Sequence, residues 1–236
     1  MYIQALRIIP RFLTAVLLLC LNLAANAQST GVLYDPEPPA DSAYVRVIVT
    51  SREASVDVMV DGHPRIRKLG GAEASDYMVL AAGKHTIALH PAGKATAYLS
   101  TTIDVVRGRA MTLAFTALQA NTVPVIFEDK ANSNKLRALL VVYHLDAKAG
   151  PLDLLTADGN TKVFSSLAFG ASNNAIQVNP IAIELVAVKT GDKTPKARTS
   201  LTMTQGGTYS VLLLPGEGGT LLARTTQNKI ERYTGK

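Results

Sequence analysis

Apolar and polar positions alternate along short stretches of the chain, most clearly between Ser42 and Leu89. Val45, Val47 and Val49 fall on one face of a first strand, and Val56–Val60 follows the same rule. Asp-Gly and Ala-Gly pairs separate these stretches, which is the pattern of antiparallel strands joined by tight turns. The pattern predicts a small β-sandwich.

The second face of the first strand carries Tyr44, Arg46 and Ile48. A large apolar residue at such a position predicts that this face is not wholly exposed. On the next strand, the alternation predicts an exposed Asp57, and the Asp61–Gly62 pair predicts a hairpin turn.

A degenerate copy of this stretch begins about 97 positions later. The matches pair Asp61-Gly62 with Asp158-Gly159, Val56-Asp57-Val58 with Leu152-Asp153-Leu154, and Ser75-Asp76-Tyr77 with Ser172-Asn173-Asn174. Short strands with turn signals continue through both copies, which favours sandwiches over helical bundles. The sequence therefore predicts an all-β fold of two tandem antiparallel β-sandwiches, immunoglobulin-like or carbohydrate-binding-module-like.

The 236 residues divide into three predicted parts. Residues 1–27 form a signal peptide, residues 28–126 an N-terminal β-sandwich with a proline-rich lead, and residues 127–236 a C-terminal β-sandwich. Modules of about 100 residues are an ordinary domain size. Within the second module, residues 189–198 have the composition of an exposed loop, and the basic polar C-terminal tail is expected to fray.

The N-terminus has the features of an export signal. Arg7 and Arg11 precede an apolar run at residues 15–21, and residues 25–27 offer a small-residue cleavage site. The run is too short to favour a membrane-spanning helix. Cys20 follows a leucine where lipidation needs a small residue, so we predict cleavage after Ala27, which removes the only cysteine.

Charge is uneven between the two predicted modules. Cleavage removes two arginines and lowers the net charge from +6 to +4. Basic and acidic residues balance in residues 28–126, so the whole net charge of +4 falls in residues 127–236. A basic second module could attract an anionic polymer or an acidic partner. Basic residues form no consecutive block, however, so a solvated surface with scattered lysines is the favoured explanation, and nucleic acid is not predicted as a partner.

Motifs for catalysis, metals and cofactors are not recognisable in the sequence. The four histidines lack the cysteine or clustered carboxylates of a metal site. No Gly-x-Ser-x-Gly motif occurs, and Lys193 stands where a Gly-Asp-Ser block would place its nucleophile. Asp57 and Asp61 would lie about 13 Å apart along a strand, too far for paired-carboxylate glycoside chemistry. We therefore predict no catalytic residue, metal or cofactor.

Several segments resemble the opening of the AlgF family of alginate O-acetylation proteins. They are Leu33–Pro36, Pro39, Ser42–Val47, Ser75–Tyr77 and Ala82-Gly83. The same Val-Asp-Val, Asp-Gly, Ser-Asp-Tyr and Ala-Gly rhythm also resembles a broader group of secreted β-sandwich modules of unassigned role.

The AlgF resemblance implies a soluble periplasmic accessory protein without a catalytic site of its own. Such a protein works beside a membrane-bound O-acyltransferase and a periplasmic acetyltransferase that acetylate an exopolysaccharide, either alginate or, in related systems, cellulose. The polysaccharide itself is a further candidate partner. The candidate partner-binding residues are Leu33, Tyr34, Asp35, Pro36 and Arg46.

Two other functions stay open at this stage. One is a secreted carbohydrate- or surface-binding β-sandwich with no role in acetylation, although the chain has no tryptophan to stack on sugar rings. The other is a true acetyltransferase with an unrecognised site, for which Ser75 and Ser172 would be the residues to test.

Overall fold

The alternating pattern forms β-strands throughout residues 38–171 and 175–233, which are the residues that the computed structural model describes. The all-β prediction is confirmed, since the single helical element in these ranges is a 3-10 turn at Glu217–Gly219. Residues 38–233 pack as one unit. The predicted signal peptide, the proline-rich lead up to residue 37 and the repeat match at residues 172–174 lie outside the described residues.

The strands fall into two consecutive groups. The first group is β1 (Ser42–Val49), β2 (Ser55–Val60), β3 (His63–Gly70), β4 (Glu73–Ala74), β5 (Met78–Ala81), β6 (Gly83–Pro91), β7 (Leu99–Val105), β8 (Ala110–Phe115) and β9 (Val125–Asp129). The second group is β10 (Ala138–His144), β11 (Leu152–Thr156), β12 (Lys162–Leu167), β13 (Ala175–Val178), β14 (Ile181–Lys189), β15 (Pro195–Met203), β16 (Thr208–Pro215) and β17 (Leu221–Gln227).

Both groups build the same pair of sheets. In the first group, sheet I has β4 and β5 beside β1, followed by β8 and β9, and sheet II has the order β3-β2-β6-β7. In the second group, sheet III has the order β13-β10-β16-β17 and sheet IV the order β12-β11-β14-β15. Apart from β4, each strand of one group has a counterpart at the same place in the other, so the topology repeats as the sequence does.

Each group also contains one parallel pair, which the sequence analysis did not predict. β1 runs parallel to β8, and β10 runs parallel to β16, whereas the other pairs in these sheets are antiparallel. Parallel neighbours cannot be joined by a tight hairpin and need a long crossover. Here several intervening strands, most of them in the opposite sheet, form that crossover, which is why hairpin signals alone did not reveal the pairing.

Sheets I and II enclose one apolar core, and sheets III and IV enclose another. The valines predicted to point inward, at 45, 47 and 49 on β1 and at 56, 58 and 60 on β2, all belong to the first core. β10 and β16 bring Leu140, Val142 and Leu213 to the second. We call these sheet pairs the first and second sandwich.

A third apolar cluster joins the two sandwiches face to face. Ile48, Ala114 and Phe127 of sheet I pack in it with Leu139 and Val141 of sheet III. The layers therefore follow the order II, I, III, IV. This position explains why every residue of β10 is buried, because both faces of its sheet are covered.

Two boundaries differ from the sequence-based expectations, and one predicted turn is present. The predicted module boundary between residues 126 and 127 falls inside β9, which pairs with β8 of sheet I. The predicted loop at 189–198 is shorter, because β15 already begins at Pro195. The Asp61–Gly62 turn is confirmed: both residues have positive φ, at 51° and 79°, as this two-residue hairpin requires.

Asp57 is buried, and the prediction of an exposed side chain is wrong. Its carboxylate oxygens accept hydrogen bonds from the backbone N–H groups of Lys68 at 2.8 Å and Gly93 at 2.9 Å. Lys68 has φ of 54° at a bulge where β3 slips against β2. The carboxylate therefore satisfies donors that the irregular pairing leaves free.

Asp153 does the same in the second sandwich. It accepts from the N–H of Ser166 at 2.8 Å and from the Thr190 hydroxyl at 2.9 Å, and it pairs with the Lys162 ammonium. Ser166 has φ of 50° at the corresponding bulge between β11 and β12. The repeat thus conserves a buried carboxylate together with the bulge that it stabilises.

Replacing Asp57 with Asn is expected to lower the free energy of unfolding at pH 7 by about 1–3 kcal/mol, because an amide NH2 then faces a backbone donor. The N–H groups of Gly93 and Lys68 hold the pKa of Asp57 below its ordinary value. The stabilisation is therefore present above the unfolded-state pKa of about 3.9 and is lost as the pH falls through the folded-state pKa. Urea unfolding at a series of pH values measures the difference.

Asp104→Asn is the matched control, since Asp104 is exposed on β7. It should change the free energy of unfolding by no more than about 0.5 kcal/mol. Equal losses in the two variants, or a D57N loss that does not shrink on acidification, would contradict the assignment.

Candidate functional site

Arg46 lies in the layer between the two sandwiches. It sits on β1, whose valines face the first core, so its side chain points in the opposite direction toward sheet III. The residue has no exposed surface. A guanidinium removed from water is costly unless its charge and its N–H donors are satisfied, so the surrounding groups decide whether this junction can form.

Four hydrogen bonds hold the guanidinium. Nε donates to Thr112 Oγ1 at 2.8 Å, and Nη1 donates to Asn228 Oδ1 at 2.8 Å. Nη2 donates to Tyr143 Oη at 2.8 Å and to Ser210 Oγ at 3.0 Å. These partners come from β8, β10, β16 and the segment after β17. One side chain of the first sandwich is thereby bonded to the second sandwich at three points.

Asp129, the last residue of β9, balances the charge. Its carboxylate accepts hydrogen bonds from three hydroxyls, those of Thr112, Tyr143 and, at 2.8 Å, Tyr77. The Thr112 and Tyr143 hydroxyls are also the ones that accept from Arg46. Burial raises the pKa of Tyr143 to about 12 and also raises the pKa of Tyr77. Both phenols therefore stay protonated and donate to Asp129, so the opposite charges are linked through hydroxyl groups.

The Arg46 guanidinium also lies over the Tyr77 ring, 4.7 Å from its centroid. A cation over an aromatic face is attracted to the ring, more strongly where water is excluded. We call Arg46, Tyr77, Thr112, Asp129, Tyr143, Ser210 and Asn228 the junction network.

The C-terminal tail completes this network and is held in place as far as residue 231. Tyr77 N–H donates to the carbonyl of Lys229, and Glu231 N–H donates to the carbonyl of Tyr77. The Glu231 carboxylate accepts from Val79 N–H at 2.8 Å and pairs with Arg65. The expectation of a frayed tail is wrong for this segment, because it crosses back and bonds to the first sandwich.

A cleft of about 840 Å³ opens beside the network, between the sandwiches. Its lining includes Arg109 of the first sandwich and Lys229 of the tail. Lys130 and Lys135, which both lie in the connection between β9 and β10, also line it. Two acidic residues, Glu128 and Asp129, also line it. The cleft is therefore net basic and is built by segments from both sandwiches.

Two histidines, His85 and His144, have partners on both ring nitrogens. His85 Nδ1 lies 2.6 Å from Asp61 Oδ2 and Nε2 lies 2.8 Å from the Ala81 carbonyl oxygen. Burial lowers the pKa of His85, but these two acceptors outweigh it and raise the pKa overall. His144 Nε2 donates to the Gly150 carbonyl, which leaves Nδ1 to accept from Asp146 N–H. Neither ring is arranged as a free general base.

Ser75, the serine considered as a nucleophile, is nearly buried, and its hydroxyl bonds to the backbone. It accepts from Val47 N–H at 3.0 Å and donates to the Asp76 carbonyl at 2.8 Å. Ser172 lies outside the described residues. Across residues 38–171 and 175–233, no group of three metal-ligating side chains comes together, and no helix is long and apolar enough to cross a membrane.

Of the five candidate partner-binding residues, four lie outside the described residues, and only Arg46 can be placed. Its side chain is internal, so a partner could touch it directly only if the sandwiches separated. Sequence reasoning missed Asp129, Tyr143 and Asn228. One signal was available for Tyr143, which lies 97 positions after Arg46, at the equivalent place in the repeat.

Fold and site together define an all-β protein whose two sandwiches are joined by a buried polar network beside a basic cleft. The chain belongs to the AlgF family: the family described as "Alginate O-acetyl transferase AlgF" matches residues 15–210. Membership implies involvement in alginate O-acetylation. The resemblance found in the sequence is confirmed.

Solved structures offer a weaker comparison. The C-terminal domain of AlgF from P. aeruginosa is 25% identical to this chain, with a TM-score of 0.33. The match covers 40% of this chain and the whole of that domain. A leucine-rich repeat protein from Bacteroides thetaiotaomicron is 12% identical over 72% of this chain and 26% of its own, with a TM-score of 0.20. No curated protein matches. The family assignment therefore rests on the family match.

Replacing Arg46 with Met is expected to lower the free energy of unfolding by about 3–5 kcal/mol, because it leaves the Asp129 carboxylate without its counter-charge. Chemical denaturation monitored by fluorescence of the tyrosines measures this loss. The double variant R46M/D129N should lose less than the sum of the single changes, because both charges are then gone.

Arg109→Met is the control, since Arg109 forms an exposed pair with Glu128. Such a pair contributes about 1 kcal/mol at most. If R46M cost no more than R109M, or if the double variant were strictly additive, the network would not be coupled as described.

Proposed function

We propose that this protein is a non-catalytic accessory protein of a periplasmic system that O-acetylates alginate. In this role it acts as an adaptor beside a membrane-bound O-acyltransferase and a periplasmic acetyltransferase. Membership of the AlgF family supports the process, and the export signal predicted in residues 1–27 supports the compartment. The adaptor role rests on the junction between the sandwiches.

The junction network is the observation that carries this proposal. An adaptor must present two surfaces in a constant relative orientation, and a shared apolar cluster with Arg46 at its polar end provides this. The tail adds a further connection through Asn228 and Glu231. Interfaces between domains of one chain are otherwise often mobile, so this degree of connection favours a scaffold.

The ionisable groups that might have suggested chemistry serve the fold instead. Asp57 and Asp153 hold bulges, Asp61 and His85 pair at a hairpin, and the Ser75 hydroxyl bonds to the backbone. This distribution supports an accessory role over the acetyltransferase that the family description names. In this proposal the acetyl group is transferred by the partner enzymes.

Deleting the gene is expected to lower the acetyl content of the secreted polymer while the amount of polymer is maintained. Acetyl groups released by mild base, measured per uronate residue, give the readout. The wild-type gene should restore acetylation, and a chain lacking residues 1–27 should not, because it is not exported. Unchanged acetyl content after deletion would refute the proposal.

The second candidate is a secreted carbohydrate- or surface-binding module with no role in acetylation, which the basic cleft favours. It predicts that the purified protein binds alginate or cellulose oligosaccharides in isothermal titration although deletion leaves acetylation unchanged. Binding of alginate that weakens with salt would point to the charged surface. No heat at millimolar oligosaccharide would eliminate this candidate.

A further inference from the structure

The outer edge of β5, on the side away from β1, is covered by the C-terminal tail and by side chains. Backbone groups that point to this side recur at every second residue, here at Tyr77, Val79 and Ala81. Tyr77 exchanges two backbone hydrogen bonds with the tail, one with Lys229 and one with Glu231. Side chains bond to the outward groups of the other two residues, so the tail docks on an edge that several elements hold.

Two charged side chains bond to Val79. Its N–H donates to the Glu231 carboxylate at 2.8 Å, and its carbonyl accepts from Arg65 Nη2 at 3.3 Å. Arg65 and Glu231 also pair with each other. The tail is thereby tied to the backbone of β5 and to β3 of the opposite sheet.

The ring of His85 bonds to Ala81 and to a turn of sheet II. Nε2 lies 2.8 Å from the Ala81 carbonyl oxygen, and Nδ1 lies 2.6 Å from Asp61 Oδ2. Asp61 is fixed at the turn between β2 and β3, where its other oxygen accepts from Thr86 N–H at 2.8 Å. The His85 side chain is 14% exposed, so water has little access to these contacts. The ring therefore links sheet II to the end of β5 in sheet I.

Both partners of the His85 ring are hydrogen-bond acceptors. A carboxylate and a carbonyl oxygen supply no proton, so both ring nitrogens must donate, and only the charged imidazole does so. A neutral ring keeps one N–H, and the negative charge of Asp61 retains it on Nδ1. Nε2 then presents a lone pair to the Ala81 carbonyl oxygen, and the attraction at this contact becomes repulsion.

We propose that His85 is a pH-sensitive clasp, which holds the outer edge of β5 and the docked tail while both of its ring nitrogens carry protons. Loss of one proton frees the Ala81 carbonyl and loosens the edge on which the tail lies. The tail carries Asn228, a partner of Arg46, so the clasp links pH to the junction network. This assignment rests on the first sandwich and the tail, and it does not depend on the proposed role in acetylation.

The charged groups on the elements that adjoin the ring set the pH range of the clasp. They are Asp41 before β1, Asp61 and His63 at the β2–β3 turn, Arg65 on β3, Lys84 on β6, Asp104 on β7 and Glu231 on the tail. Burial lowers the pKa of His85, as does Arg65, but the bonds to Asp61 and Ala81 outweigh both and raise it overall.

The direction of this shift fixes the sign of the pH effect. Because the folded-state pKa of His85 is raised, its stabilisation is complete below the unfolded-state value of about 6.5 and is lost as the pH rises through the folded-state value. On the acid side the clasp lasts until Asp61 is protonated. Thr86 N–H and the His85 ring hold the pKa of Asp61 below its ordinary value, so the clasp is closed between these two titrations.

A titration followed by NMR of the histidine ring protons tests the clasp at the ring itself. His85 should titrate above the ordinary value of about 6.5 in the wild type. D61N should lower this pKa, because the carboxylate that favours the charged ring is gone, and asparagine before Gly62 suits the same turn. A wild-type His85 that titrates at or below the ordinary value, or one that D61N does not affect, would overturn the inference.

Hydrogen exchange tests the edge and the tail. The amide protons of Val79 and Glu231, after correction for the intrinsic effect of pH, should be protected about tenfold more strongly below the His85 pKa than above it, the factor expected for one charge-assisted hydrogen bond. H85Q should remove this pH dependence, because an amide does not titrate in this range. H90Q is the matched control, since the His90 ring lies on the same strand and bonds to the Lys94 carbonyl, outside the clasp.

The exchange data also decide the case in which H85Q does not fold. In D61N the pH at which protection falls should move down together with the His85 pKa. Protection that stays constant with pH in the wild type, or that loses its pH dependence equally in H85Q and H90Q, would show that His85 does not hold the edge.

Discussion

A single buried charge, the guanidinium of Arg46, is the constraint on which this structure depends. Removed from water, it requires partners on every side, and no one segment supplies them. Thr112, Tyr143, Ser210 and Asn228 each accept one of its hydrogen bonds, and they come from both sandwiches and from the tail. Apolar contacts in the same layer favour bringing the sheets together, but they are tolerant of small rotations. The hydrogen bonds are directional, so they select one orientation.

That orientation also determines the charge of the surface beside it. Asp129 is directed inward, through Thr112 and Tyr143, toward Arg46. Its negative charge is thereby used inside the junction, and Lys130, Lys135 and Lys229 of the cleft lining form no ion pair with another described residue. A buried polar network and an exposed basic cleft are in this sense two consequences of one arrangement.

The duplicated sandwich shows which features the architecture itself requires. Asp57 and Asp153 occupy equivalent strands and stabilise equivalent bulges, so this device belongs to the module. Positions 46 and 143 are equivalent as well, but one is Arg and the other Tyr, and they bond to each other across the junction. Two arginines at these positions could not form that donor and acceptor pair, because a guanidinium only donates. Divergence of the copies at this position is what allows them to join.

The sequence by itself determined the strands, the inward faces of β1 and β2, the Asp61–Gly62 turn and the family resemblance, because these depend on residues close together in the chain. It did not reveal the parallel pairs, the partners of Asp57 or the docked tail, since these join segments many residues apart. Arg46 shows the division most clearly. Local alternation placed it on the second face of β1, with Ile48 suggesting that this face is covered. Only the tertiary structure decided that sheet III covers it, because a period of two specifies a face and not the surface that packs against it.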